Sequence, residues 1–357
     1  MPMYELKGFA ECDVDDPFFD SLKEDYNGFE QWFKRKSDEG EKAYVSKDSG
    51  QVQAFVYIKE GEQEAVGDLP ECKGRLKIGT LKISKDSAGK KLGEGAIGLA
   101  LWRWQQSDSD EIYVTVYPKH DDIISLVKKY GFHKAGNKEG EEVYVKDKRS
   151  IPLEIGERAG LTSFPYIDPD FKRAGYIPIY EKYHDVMFPY SELMNTDQTM
   201  RPLPVSNGIN KSYVATPKGM IDYRPGDIVL IYRISETDRR NKSAATSYCT
   251  VSTVRWIKRN GKLIDGENKD SFKDMIENRT VYSDEELDAL FTKDNLCVIN
   301  LLYNGYFGAG HNINYRWLHE HGYMEGHPYE VKLTPEEFWT IMKEGGKDEK
   351  SVAFRKA

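Results

Sequence analysis

Along residues 17–148 the apolar positions change period repeatedly, and each change marks an element. Phe18, Phe19 and Leu22, then Phe29, Trp32 and Phe33, recur at helical spacing. The first helix opens with Asp16 as N-cap and Pro17 at its first position, and Asn27 is placed to cap the second. Lys42–Lys47 and Val52–Lys59 read as strands joined by the turn residues Asp48, Ser49 and Gly50. A strand Leu76–Ile83 follows, then a helix from Gly93 to Gln106 with Ile97, Leu101 and Trp104 on one face. The strand Ile112–Tyr117, the helix Asp121–Tyr130 closed by Gly131, and the strands Phe132–Ala135 and Val143–Lys146 complete the segment. This order predicts an α+β domain over residues 1–148, a mixed sheet with flanking helices.

Residues 149–200 change character. Pro152, Pro165, Pro169, Pro178 and Pro189 punctuate a tract with little periodicity, which reads as a linker wrapping the domains. Residues 201–345 form a second domain whose pattern is mostly strand: Tyr213–Thr216, Ile228–Ile234, Ser247–Ile257 and Cys297–Tyr303. Helices are expected over Ser271–Glu277, Asp284–Phe291 and Pro335–Lys343, the last with Thr334 as N-cap. Residues 346–357 read as a flexible tail.

Composition narrows the class. Of 357 residues, 39% are hydrophobic and 31% charged, so the chain is globular, and its length favours two domains. No apolar run reaches the roughly 18–20 residues that cross a bilayer, so no membrane partner is expected. The acidic N-terminus lacks the basic and apolar regions of a signal peptide, and Cys12, Cys72, Cys249 and Cys297 have no CxxC spacing. Both features fit a cytoplasmic protein with reduced thiols and no metal site. The net charge of −8 is unevenly spread: residues 1–50 hold 7 Lys and Arg against 13 Asp and Glu, whereas residues 201–263 hold 12 against 4. A basic patch in the second half is compatible with a nucleic-acid partner.

The most informative stretch is Leu76–Ile97, LKIGTLKISKDSAGKKLGEGAI. A strand, a polar loop with Lys85, Lys90 and Lys91, and a helix start at Gly93 and Gly95 leave unpaired N–H groups at the positive end of a helix, where a phosphate can bind. Lys90-Lys91-Leu92-Gly93-Glu94-Gly95, with Gly131-Phe132 closing the next helix, resembles the two motifs of the GNAT acyl-CoA N-acyltransferases. Lys90 stands where that family has Gln or Arg.

The resemblance implies that acetyl-CoA or another acyl-CoA is the cofactor and a primary amine the acceptor. It places the pyrophosphate on Ala88, Gly89, Lys90, Lys91, Leu92 and Gly93, with Gly95 permitting close approach. The pantetheine arm would run along Leu81 to Ile83, whose N–H would polarise the thioester carbonyl. Many members carry a tyrosine as thiolate acid where this chain has Val127. Tyr117 and His120 are the substitutes at hand, and Asp68 and Glu71 are candidates for the base, with nothing to select between them.

Lys211-Ser212-Tyr213-Val214, the segment Pro225–Arg233 and the closing Leu333–Phe338 resemble the PUA-like barrels, the superfamily of the ASCH and EVE domains. A PUA-like β-barrel with added helices is therefore expected over 201–345. Domains of that superfamily often bind RNA or modified bases, and Lys211, Arg233, Arg239, Arg240, Arg255, Trp256, Lys258 and Arg259 supply the residue types. His311, His319, His321 and His327 crowd a short span, but their spacing matches no metal signature, and polar surface histidines are expected.

The expected function is acetyl-CoA-dependent N-acetyl transfer to a primary amine, with RNA, tRNA or another nucleotide-bearing substrate presented by the PUA-like second domain. The alternatives are a CoA-binding module with a reader of modified nucleic acid, and an acetyltransferase acting on a protein or small molecule. Val127 is the feature that favours a binding module. Oligomeric state is not legible.

Overall fold

The computed structural model describes residues 4–150, 160–191, 203–219 and 221–354. They divide into two compact units, residues 4–128 with 132–147, and residues 129–131 with 148–354.

The first unit runs β1 (Glu5–Gly8), α1 (Asp20–Asp25), α2 (Phe29–Asp38), β2 (Lys42–Asp48), β3 (Gln51–Glu62), β4 (Arg75–Ile83), α3 (Leu92–Gln105), β5 (Glu111–Val116), α4 (Asp121–Lys129), β6 (His133–Lys138) and β7 (Glu141–Asp147). Asp16 begins the helical stretch as expected, accepting from the Phe18 amide at 2.8 Å, but Pro17–Phe19 is a 3-10 turn before α1. The second helix is capped by Gly28 at φ +80° rather than by Asn27. β1 has no counterpart in the sequence reading. It is a four-residue edge strand with Leu6 exposed, too short to show alternation.

The sheet order is β1-β2-β3-β4-β5-β7-β6, antiparallel throughout except for the parallel pair β4 and β5. Phe55 and Tyr57 of β3 pack with Phe9, Phe19, Phe29 and Phe33 in an aromatic core under α1 and α2. The alternate residues Ala54 and Val56 are buried too, and α3 packs across β3, β4 and β5. With both faces covered, β3 reads as a continuous apolar run. α3 is correspondingly apolar on nearly every side, beyond the single face of Ile97, Leu101 and Trp104.

Two register features open this sheet. Tyr57 pairs with Thr80 and Ile58 with Ile78, so Gly79 is the extra residue of a β-bulge. β4 and β5 pair only from Leu76↔Ile112 to Ile78↔Val114. Beyond the bulge the two strands part, and among the described residues no strand pairs with the β5-facing edge of β4 from Gly79 to Ile83.

The second unit runs β8 (Ala174–Tyr180), α5 (Glu181–Met187), α6 (Pro204–Asn207), β9 (Asn210–Ala215), β10 (Ile228–Ile234), α7 (Arg239–Lys242), β11 (Ala244–Arg259), β12 (Lys262–Leu263), α8 (Lys269–Ile276), α9 (Asp284–Phe291), β13 (Leu296–Tyr306), β14 (Ile313–Asn314), α10 (Tyr315–Glu320), β15 (Lys332–Leu333), α11 (Pro335–Glu344) and α12 (Glu349–Val352). Its sheet order is β15-β8-β10-β11-β13-β9, with β12 and β14 added on β11. Among the described residues the pairing runs open from β15 to β9, where the sequence reading expects a closed barrel. Thr334 caps α11 as expected, in a reciprocal box with Glu337.

Two segment assignments need correction. Within the tract taken as a linker, β8 is an inner strand, parallel to β10 over its whole length. Its sequence AGYIPIY is buried almost throughout and so shows no alternation. Pro178 is tolerated because β15 pairs only with Gly175 and Ala174, leaving the missing N–H on an unpaired stretch. Residues 151–159 and 192–202 lie outside the described residues. Much of the tail is also ordered: Ala353 bridges Ile167, and Val352, Ala353 and Phe354 are buried. No helix among the described residues is long and apolar enough to cross a membrane.

Candidate functional site

Parting β4 from β5 creates a cavity of about 900 Å³ in the first unit. It follows β4 from Lys77 through Leu81 and Ile83 to Ser84 and Lys85, with α1 and α2 on one side and Val114–Val116 on the other. At the Lys85 end the loop into α3 begins, and it is pinned to the β2–β3 hairpin. The Ser84 amide donates to the Gln53 carbonyl at 2.8 Å, Ser87 Oγ to Gln53 Oε1 at 2.7 Å, and Lys90 Nζ lies 3.0 Å from Asp48 Oδ2. Lys91 caps α3 in the left-handed region at φ +58°, ψ 19°, and the first helical bond runs from the Gly95 amide to the Lys91 carbonyl. The amides of Lys91, Leu92 and Gly93 have no hydrogen bond among the described residues. Together they form a concave set of donors at a helix N-terminus.

The opposite end of the cavity holds ionisable side chains. His120 Nε2 lies 3.1 Å from Asp25 Oδ2, and Lys119 bonds the other oxygen. The hydrogen bond from Lys119 is the main cause that holds the Asp25 carboxyl below its ordinary pKa. A carboxylate can only accept, so His120 Nε2 carries the hydrogen and Nδ1 is left to take a proton. Tyr26 donates to Glu141 Oε1 at 2.8 Å, and burial followed by that bond pushes its phenol pKa up. Tyr113 donates to Glu62 Oε2 at 3.1 Å. Burial alone would raise Glu62, but its bonds with Lys59 and Tyr113 bring it below the ordinary range. The buried Tyr57 also lines the cavity.

The sequence candidates separate accordingly. His120, Leu81 and Ile83 line the cavity; Ala88, Gly89, Lys90, Lys91, Leu92, Gly93 and Gly95 make up the loop and the first turn of α3. Tyr117 stands beside the cavity, its ring 5.3 Å from that of Tyr26. Glu71 is exposed and does not line the cavity, a correction, because its loop before β4 is turned to solvent. Asp68 is exposed likewise, its amide bonded to the Ala135 carbonyl. Val127 is fully buried. Asp25, Tyr26, Glu62, Lys77 and Glu141 were missed, since no motif links residues so far apart in sequence. One signal was available: Gly79 inside a strand run marks a bulge.

In the second unit most of the expected nucleic-acid residues prove structural. Lys211 is fully buried, bonded to the Val205 and Ser206 carbonyls and packed over the Phe188 and Tyr303 rings. Arg233 is buried in a two-pronged pair with Asp185 at 2.7 and 2.9 Å. Both are corrections: each cation is buried and held by buried acceptors, so neither is presented at the surface to a phosphate. Arg255 pairs with Glu267, and Lys258 donates to the Phe291 carbonyl. Trp256 is half-buried, with the Arg259 guanidinium 4.7 Å from its ring. Arg239 and Arg240 remain exposed on α7, which packs against α10. On α10, His319 stacks 5.5 Å from Tyr315, and His321, just past its end, stacks 4.1 Å from Trp317.

No family model matches the chain, and no curated protein matches it. Among solved structures it is similar to an acetyltransferase of the GNAT family from Streptococcus agalactiae 2603, at 18% identity over 37% of this chain and 79% of that one, with a TM-score of 0.30. It is similar to the ribosomal-protein-alanine N-acetyltransferase from Brucella melitensis at 12% identity over 41% of this chain and 99% of that one, TM-score 0.30. The PaiA N-acetyltransferase from Thermoplasma acidophilum, in complex with coenzyme A, is similar at 11% identity, again over 41% and 99%, TM-score 0.29.

Proposed function

We propose that the first unit binds an acyl-CoA, with acetyl-CoA the expected form, and transfers its acyl group to a primary amine. The observation that carries this reading is the abrupt end of β4–β5 pairing at Ile78↔Val114, which leaves the β5-facing edge of Gly79–Ile83 without a strand partner among the described residues, along a cavity of about 900 Å³. An extended, amide-bearing arm finds strand-like partners there, and the open amides of Lys91, Leu92 and Gly93 suit an anionic group beyond Lys85. When bound, the cofactor supplies an activated thioester.

The chain's own residues then have a limited task. A β4 N–H near the bulge polarises the carbonyl. His120, oriented by Asp25, takes the amine proton at Nδ1. Tyr26, kept protonated by burial and by Glu141, is a phenol at the same end of the cavity and supplies the acid that Val127 cannot.

Isothermal titration with acetyl-CoA tests the proposal; absence of binding at millimolar cofactor would sink it. Thiol release on adding a panel of amines, peptides and RNAs then separates a transferase from a module that only binds CoA.

For the second unit, RNA presentation now rests on the exposed Arg239 and Arg240 of α7 and on the stack at the end of α10, where His321 is exposed and Trp317 half-buried. Filter binding of total RNA over a salt series tests it, because phosphate contacts require a steep loss of affinity with salt.

A further inference from the structure

Lys77 is the one described lysine lining the cavity that is half-buried and has neither an ion pair nor a hydrogen bond. Lys36 pairs with Glu39 and Glu41, Lys59 with Glu62, and Lys82 bonds Ser21, while Lys85 is exposed. Lys77 stands on β4 opposite Tyr113 of β5, one residue before the pairing of those strands ends, and its Nζ lies 5.7 Å from the centre of the Tyr113 ring. Two residues further on is Gly79, about 7 Å along an extended strand, within the span of a lysine side chain.

On the acyl-CoA reading, on which this inference rests, an acyl group carried along Gly79–Ile83 from the loop end arrives at that vertex. We propose that Lys77 is itself an acyl acceptor. Its neutral amine attacks the thioester carbonyl carbon; the C–N bond forms as the C–S bond breaks, and the proton lost by nitrogen ends on the departing sulfur. The products are an Nζ-acyl-lysine and free thiol, with no change of oxidation state. Because an amide is far less reactive than a thioester, the modification accumulates. It removes an unpaired ammonium and fills the acceptor end, so acyl donor without acceptor switches the site off.

The surroundings favour the reactive form. Burial lowers the Lys77 pKa from its ordinary value. Glu62 of β3 and Glu141 of β7 oppose that effect, and Lys59 of β3 and Lys138 of β6 add to it.

The test uses the full chain and acetyl-CoA labelled in its acetyl group, with proteolysis and mass spectrometry of every lysine. Proximity should make Lys77 react about tenfold or more faster than the exposed Lys59 and Lys134, and excess free CoA should suppress the labelling. In a second arm without CoA, trinitrobenzenesulfonate, which consumes neutral amines, should modify Lys77 at lower pH than those two. Lys77→Arg should keep CoA binding by calorimetry and lose the label. Acetyl-CoA that binds while Lys77 stays unlabelled, or is labelled no faster than Lys59 and Lys134, overturns the inference. So does trinitrobenzenesulfonate reactivity equal to theirs. Failure of acetyl-CoA to bind at all instead overturns the acyltransferase reading, and self-acylation with it.

Discussion

The Gly79 backbone lies so close against the Tyr57 ring that a Cβ at position 79 would fall 2.9 Å from Tyr57 Cδ1. The ring cannot easily yield, because Phe9 and Trp32 contact it edge to face at 5.2 and 5.9 Å. Gly79→Ala must therefore shift the bulge that parts β4 from β5. Overpacking of this kind costs roughly 1–3 kcal/mol of stability, read by denaturant unfolding. Acetyl-CoA affinity should fall by about tenfold, equivalent to roughly 1.4 kcal/mol. An alanine variant that binds as tightly as the parent would show that the bulge is not needed for the cofactor.

Lys91 adopts a left-handed conformation at the start of α3. That conformation costs a residue with a Cβ about 1–2 kcal/mol, and a β-branched one more. Lys91→Gly is expected to leave thermal stability unchanged or raise it slightly, whereas Lys91→Val should lower it. Equal melting temperatures for the two variants would contradict the strained cap.

His120 and Asp25 act together. Loss of a general base typically costs about 10²–10⁴ in rate, so His120→Gln should reduce turnover within that range. Asp25→Asn should cost less, because it misorients the imidazole without removing it. Neither residue belongs to the Lys91–Gly93 donors, so calorimetry should find CoA affinity close to the parent's. A parent-like rate for His120→Gln would remove it from the mechanism.

Acid should loosen the second unit through one buried network. Asp185 can only accept, so His184 Nδ1 donates to it at 2.8 Å, and the Thr246 hydroxyl donates to Nε2 at 2.7 Å. Burial would raise the Asp185 pKa, but the bonds from Arg233 and His184 outweigh it and bring it to about 2. Burial lowers the His184 pKa. Both groups are depressed in the fold, so both contribute stability at neutral pH that is lost as pH falls. His184 begins to withdraw its share below pH ~6.5, its unfolded value, and Asp185 withdraws about 2 kcal/mol between pH ~4 and ~2. Hydrogen exchange of β10 and β11 amides across this range checks the prediction. Protection that stays constant from pH 7 to 2 would rule the network out as an acid-sensitive element.

The elements that sequence reading located best are those whose signals are local. The Asp16–Pro17 start, the Thr334 box and the span of α9 each depend on a few neighbouring side chains meeting nearby backbone donors. β8 escaped because burial on both faces removes alternation, and β1 because four residues carry no period. In the site, the phosphate-friendly loop was legible as a strand–loop–helix of consecutive residues. Of the ionisable end only His120 was, since Asp25, Glu62 and Glu141 join it from three other parts of the chain.

The same division holds for the cations of the second unit. Lys211 and Arg233 have the residue type of a phosphate contact, yet both are consumed by buried acceptors, while Arg239 and Arg240 remain exposed. By itself the sequence determined the order of elements in the first unit after β1 and the loop from Ser84 to Gly95, because local spacing and turn chemistry dictate both. Only the tertiary structure decided where β4 leaves β5, which acids face the opening, and which cations reach solvent. Those outcomes depend on register and burial, which arise when distant segments pack.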